Sequence, residues 1–138
     1  MIAIDTNVIL YSVDRQDLRK RAAAQVLLKQ VAVPPGQAVL LWQVAGESAR
    51  QLRAWRDAKR ISDRAFKRYL QLFRRLFPLT MPTPAVLDRA IVLADGHSLS
   101  HWDSMIVAAC IEAGIDRLYT EDMGSPRQIE TLQLLNPF

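Results

Sequence analysis

Residues Ser100 to Met123 read SHWDSMIVAACIEAGIDRLYTEDM. An apolar run, a glycine, a short apolar run and a pair of acids follow one another there, and that order decides the fold. Asp103–Ala113 carries Met105, Ile106, Val107, Ala109, Cys110 and Ile111. That run is too long for an ordinary strand and reads as a buried helix. Ser100, three residues before Asp103, suits the start of that helix. Gly114 suits its end, where a left-handed residue commonly closes the last turn. Arg117–Thr120 (RLYT) then reads as a strand, with Glu121 and Asp122 directly behind it. Helix followed by short strand is the repeating step of an alternating α/β chain.

The same step recurs upstream. Met1–Asp5 (MIAID) is an apolar run ending in an acid and reads as a buried strand. Arg15–Gln30 reads as a helix with Leu18, Ala22, Val26 and Leu27 on its core side and Asp17 near its start. Pro34-Pro35-Gly36 is a loop, and Ala38–Leu41 (AVLL) is a second strand. Gln43 to about Arg60 is helical, with Val44, Leu52 and Trp55 apolar. A further helix from about Ser62 to Phe77 places Phe66, Tyr69, Leu70, Phe73 and Leu76 at 3–4 spacing, with Ser62 as its cap. Pro78, Pro82 and Pro84 punctuate a short strand at Leu79–Met81. Ala85–Ala94 is a helix, Asp95–Trp102 a loop, and Leu132–Leu135 a last strand. The expected fold is α/β: a short, mostly parallel sheet flanked by helices on both faces. Ligands in such sheets sit beyond the carboxyl ends of the strands.

The chain has 138 residues, which fits a single domain over 1–138. Half of it is hydrophobic and 23% is charged, a globular composition. One cysteine excludes a disulfide framework and a Cys-based zinc site. No apolar run approaches the roughly 18 residues of a membrane helix. With no basic leader before an apolar stretch, the expected compartment is the cytoplasm. The net charge of +4 hides a division. Arg50–Arg75 holds ten basic residues and two acids, a net of +8, while the rest of the chain carries −4. The two helices that span this block form a basic hairpin, suited to an anionic partner or simply solvated.

Asp5, Glu47, Asp103 and Asp122 stand out among the acids. Asp5 and Asp122 follow strands, Asp103 begins an apolar helix, and Glu47 lies in an apolar-flanked helix start (VAGES). Each has a plainer reading: Asp5 as a cap for a turn at Thr6–Tyr11, Asp103 and Glu47 as first-turn acids, Glu121 and Asp122 as turn residues. Brought together, such carboxylates repel one another. Two unit charges 4 Å apart cost about 4 kcal/mol at an effective dielectric near 20. A hard divalent cation removes that repulsion while keeping several waters. It also supplies the Lewis acidity needed to hydrolyse a phosphodiester. Acids holding a cation and a basic hairpin holding a phosphate backbone are complementary.

At these residues the chain resembles the PIN-domain ribonucleases, in particular the VapC-type toxins. The motifs are IDTNV at Ile4–Val8, Glu47 of VAGES, LSHWDSMIVAAC at Leu99–Cys110, LYTEDM at Leu118–Met123 and LNPF at Leu135–Phe138. The resemblance implies a PIN-like fold with a protruding helical hairpin, and cleavage of RNA dependent on Mg²⁺ or Mn²⁺. It implies that Asp5, Glu47, Asp103 and Asp122 form the catalytic, metal-holding quartet. Thr6, Asn7 and Ser104 match the small polar positions that orient those carboxylates. Arg50, Arg53, Arg60, Arg64, Lys67 and Arg68 would track the RNA. A small antitoxin is the implied protein partner, in a homodimer or a toxin–antitoxin hetero-oligomer.

Other readings compete. A housekeeping RNA-processing nuclease would use the same site. A non-catalytic RNA-binding module would use the hairpin alone. A phosphatase of the haloacid dehalogenase type would need a second Asp two residues after Asp5, where the chain has Asn7. His97 and His101 have helical i, i+4 spacing for a transition metal, but their serine-rich surroundings argue for a loop. Trp42, Trp55 and Trp102 could stack bases, with Trp102 more simply read as packing. Cys110 reads as core.

Overall fold

The structure is a computed structural model and describes every residue from Met1 to Phe138. Its elements in chain order are β1 (Ile2–Ile4), α1 (Thr6–Tyr11), α2 (Leu18–Val31), β2 (Ala38–Leu41), α3 (Trp42–Asp57), α4 (Asp63–Leu76), β3 (Leu79–Thr80), α5 (Pro84–His97), α6 (His101–Glu112), β4 (Arg117–Tyr119), β5 (Arg127–Ile129) and β6 (Leu132–Leu135). The strands form one six-stranded sheet in the order β3-β2-β1-β4-β6-β5. All neighbours are parallel except β5 against β6.

β1 and β2 are buried at every residue, which is why they read as continuous apolar runs. The chain leaves β1 toward β2 and β3, then returns to place β4 on β1's other side. The carboxyl ends of β1 and β4 therefore flank the point where the strand order reverses, the usual ligand position in an open α/β sheet. One cluster of 31 buried residues fills the interior. Cys110 is fully buried within it, as its apolar neighbours suggest, and burial pushes its thiol up beyond the physiological range.

The α/β class, the mostly parallel sheet, the flanking helices and the α3–α4 hairpin agree with expectation. Several local caps agree too. Ser62 accepts a hydrogen bond from the Ala65 N–H and Ser100 from the Asp103 N–H. Gly114 sits just past α6 with φ +68.

Four details differ. The turn after Asp5 is a full helix, α1, with Asp5 as its cap. The buried stripe of α2 is Ala24, Leu27, Leu28 and Val31, whereas Leu18 and Val26 face solvent. Helix α5 continues through Asp95 and Gly96 to His97, so only three residues, Ser98–Ser100, form the loop before α6. Its inward residues Val86, Ala90 and Leu93 outweigh the weak helix propensity of that polar, glycine-containing end. Strand β5 is additional: a short edge strand with one buried residue, Ile129, held by antiparallel pairing to β6. No helix is long and apolar enough to cross a membrane.

Candidate active site

The four acids singled out in the sequence line one concavity of about 260 Å³, together with Thr6, Asn7 and Arg50. Each is delivered by a different element. Asp5 follows β1 and caps α1, Glu47 lies in α3 behind β2, Asp103 occupies the first turn of α6, and Asp122 follows β4. Residues as distant in the chain as Asp5 and Asp122 thus meet because three parallel strands end at one edge of the sheet.

Asp5 is the deepest, with 5% of its surface exposed. One carboxylate oxygen accepts from the Thr6 N–H at 2.7 Å, and the other from the Thr120 hydroxyl at 2.7 Å and the Asn7 amide at 3.3 Å. The same Asn7 amide donates to Asp122 Oδ2 at 2.9 Å, so it stands between two acids. The Thr120 hydroxyl also accepts from the Asp122 N–H at 3.1 Å, which fixes the loop carrying Asp122. Thr6 Oγ1 donates to Glu47 Oε2 at 3.0 Å, and Gln43 Nε2 donates to Glu47 Oε1 at 2.9 Å. Asp103 differs from the other three: its carboxylate accepts no hydrogen bond from the protein. Its lone pairs are left to whatever occupies the concavity.

Burial raises the Asp5 carboxyl from 3.8 to about 6; hydrogen bonds from Thr120 and Thr6 oppose the shift, and the charges of Glu47 and Asp122 add to it. A pKa that is higher folded than unfolded contributes stability fully present below about pH 4 and lost as pH rises through about 6. In the absence of divalent cations, Asp5→Asn should therefore gain stability relative to the parent chain as pH rises from 4 to 7. The rise from 3.8 to about 6 limits that gain to about 3 kcal/mol. Urea denaturation of both chains across this range checks it, and parallel pH profiles would count against an ionised, buried Asp5.

No three Asp, Glu, His or Cys side chains come close enough to form a ready-made metal cage. What the residues offer is looser: four carboxylates around a small concavity, with Thr6 bonded to Asp5 and Glu47, Asn7 bonded to Asp5 and Asp122, and Asp103 unpartnered. That set fits a hard cation of the Mg²⁺ class, which binds through one or two carboxylates and keeps its other waters. It does not fit a dry, fully liganded ion.

The remaining candidates fall into place around this centre. Thr6 and Asn7 contact the acids, as described. Ser104 is buried and donates to the His101 carbonyl of its own helix at 2.6 Å, with no hydrogen bond to a carboxylate. Glu121 points away: it pairs with Lys20 at 2.6 Å, and that ammonium also lies over the Tyr11 ring at 4.6 Å. His97 ends α5 and His101 begins α6, so they are not paired on one helix.

Of the six basic residues expected to track RNA, Arg50 alone lines the acidic concavity. Arg64, Lys67 and Arg68 line a separate shallow hollow on α4, where Lys67 also pairs with Asp63 at 2.9 Å. Arg53 is exposed on α3. Arg60 is held by Asp14 and stacks over Trp55 at 4.1 Å. Trp55 is buried, so it is unavailable for stacking on RNA. Trp102, read as packing, is instead 62% exposed.

Thr120 and Gln43, which hold Asp5 and Glu47, do not stand out in the sequence as site residues. Thr120 sits at a strand end beside the acid pair, and that position is a usable signal. Gln43 carries no comparable one.

The sequence model of the PIN domain matches residues 2–127. No curated protein matches the chain. Among solved structures, a toxin–antitoxin complex from Klebsiella pneumoniae is similar at a TM-score of 0.72 and 17% identity, covering 100% of this chain and 98% of that one. VapBC2 from Rickettsia felis, bound to a DNA fragment from its promoter, gives 0.69 at 15% identity over 99% and 98%. VapC20 from Mycobacterium tuberculosis, a toxin cleaving the sarcin–ricin loop, gives 0.66 at 19% identity over 94% and 98%. At these identities the structural likeness concerns the fold.

Proposed function

Because the chain belongs to the PIN-domain family, we propose that it is a divalent-metal-dependent endoribonuclease acting as the toxin of a toxin–antitoxin pair, with residues 1–138 working as one domain. The observation that carries this reading is the meeting of Asp5, Glu47, Asp103 and Asp122 in one concavity with Arg50 at its rim.

Asp5 and Asp103 would hold the cation directly, Glu47 and Asp122 directly or through water. Mg²⁺ is the expected ion and Mn²⁺ an acceptable substitute. When bound, such an ion polarises a phosphoryl oxygen and lowers the pKa of water. The chain's own part is positional. Asn7 keeps Asp5 and Asp122 apart and pointed inward, and Thr6 and Gln43 lock both oxygens of Glu47. The guanidinium of Arg50 attracts the phosphate next to the scissile bond, offsetting the repulsion between RNA and four acids.

Arg53, Arg64 and Arg68 extend that attraction along the hairpin. Replacing the three with alanine should weaken RNA binding most at low salt. The slope of log affinity against log salt should flatten by about 0.7 for each lost contact to a single strand. Salt-dependent binding measurements check this, and an unchanged slope would exclude these residues from the RNA path.

The toxin reading draws on the structural relatives, among them a toxin–antitoxin complex, VapBC2 and a toxin cleaving the sarcin–ricin loop. A small antitoxin that covers the acidic groove is the corresponding partner. Brief expression followed by mapping of cellular RNA 5′ ends tests the function. Recurrent internal ends, suppressed by Asp103→Asn, support it, and an unaltered pattern of ends would sink it. A short reading frame beside the gene, and co-purification of its product, separates a toxin from a housekeeping nuclease.

A further inference from the structure

A second, larger cavity of about 610 Å³ opens beside the acidic concavity, and Glu47 and Arg50 line both. Its volume is that of a small-molecule pocket. Two of its lining residues are indoles that the fold leaves in water: Trp42, 53% exposed, and Trp102, 62% exposed. Trp42 is the first residue of α3 and Trp102 the second of α6. Gln43 joins these two helix starts, since its amide donates both to Glu47 Oε1 at 2.9 Å and to the Trp102 carbonyl at 3.2 Å. The position of the Trp102 backbone is therefore tied to that of an active-site carboxylate. The Trp102 ring is braced on one side by His101, edge to face at a centroid distance of 4.6 Å.

Exposing two indoles is costly unless something covers them. The surroundings specify what. A nucleotide carries an anionic phosphate and a flat π surface joined by a short sugar. The shared wall of the two cavities offers a guanidinium, Arg50, for the first, and the adjoining cavity is lined by two exposed indoles for the second. We propose that this cavity is a nucleobase subsite, which receives the base of a nucleotide flanking the scissile phosphate and stacks it on Trp42 and Trp102. The proposal rests on the ribonuclease reading above. It assigns choice of the cut site to residues outside the acidic quartet. Stacking accepts any base, while the size of the cavity and its polar wall at Gln43 and Glu47 select among them.

The test uses the Asp5→Asn chain, slowed in cleavage so that RNA binding can be measured, and a set of oligoribonucleotides spanning a mapped cleavage point. Each member lacks one base, in turn, at a different position. Loss of a stacked base weakens binding by about tenfold or more. At one position next to the cut, removing the base should cost the parent about that factor. The same removal should cost nothing further in a chain that also carries Trp102→Ala. Trp102→Phe should restore most of the difference, which separates stacking from damage to the neighbouring Asp103. Sedimentation of each variant is measured alongside. If no position shows this coupling while the wild-type chain cuts RNA, the subsite is overturned and the nuclease reading stands. If the tryptophan variants lose only self-association, at unchanged RNA affinity, the cavity is an interface between copies and the proposal fails. A chain that neither binds nor cuts RNA overturns both.

Discussion

Asp5→Asn and Asp103→Asn should each lower RNA cleavage by a factor on the order of 10³ while leaving the chain folded. A divalent cation contributes several kcal/mol of charge stabilisation to phosphoryl chemistry, and each 1.4 kcal/mol or so is a factor of ten in rate. Neutralising either acid removes one charge from a site in which no three carboxylates form a closed cage, so no spare ligand takes over.

The two substitutions differ in what else they disturb. Asp103 accepts no hydrogen bond from the protein and stands in the first turn of α6, so its charge contributes only about 0.3–1 kcal/mol to the helix. Asp5 is buried and already raised to about 6, so replacing it removes a charge that the interior disfavours at neutral pH. Neither loss of activity can then be ascribed to unfolding, and melting curves of both variants verify that directly. Cleavage at parental rates by both variants would remove these residues from the mechanism.

Asn7→Ala should weaken the response to metal by roughly 10- to 100-fold, the usual scale for residues that orient metal-holding groups. Its amide is the donor placed between Asp122 Oδ2, at 2.9 Å, and Asp5 Oδ2, at 3.3 Å. Without it, two carboxylates face each other with nothing between them. Because Asn7 holds the acids and does not replace them, excess Mg²⁺ should restore much of the lost cleavage. In Asp103→Asn the same excess should restore little. A titration of activity against Mg²⁺ separates the two behaviours. An Asn7→Ala chain with a parental metal response would show that the bridge is incidental.

The legible parts of this molecule are those where one residue type answers one physical demand. β1 and β2 are buried throughout and contain little but aliphatic side chains. Ser62 and Ser100 cap helices that begin where their hydroxyls accept a backbone N–H. The acids are conspicuous because Asp5 and Asp122 follow strands, Asp103 stands in the first turn of an apolar helix, and Glu47 has small or apolar residues just before it, although it lies one turn into α3 and not at its start.

What is not legible depends on long-range packing. α2 has apolar residues on two sides, and contact with the sheet decides that Leu27 and Leu28 go in while Leu18 and Val26 stay out. β5 carries Arg127 and Gln128 beside a single buried Ile129, and only its pairing with β6 makes it a strand. The net charge of the hairpin is plain in the sequence, but a sum does not say which face each charge occupies. Arg50 lines the acidic concavity, Arg60 is tied to Asp14, and Lys67 is tied to Asp63. Thr120 and Gln43 are hidden for the same reason, since their importance lies in partners 115 and 4 or 59 positions away.

On the proposed function, four carboxylates from four elements serve one metal-dependent RNA-cleaving site. The most direct measurement is the cleavage of a defined RNA by the purified chain with Mg²⁺ or Mn²⁺, with a chelator, and with the cation restored in excess. Internal cleavage is expected with the cation, none in the chelator, and recovery when the cation is added back. Cleavage that continues unchanged in the chelator, or RNA that stays intact under every condition, would contradict it.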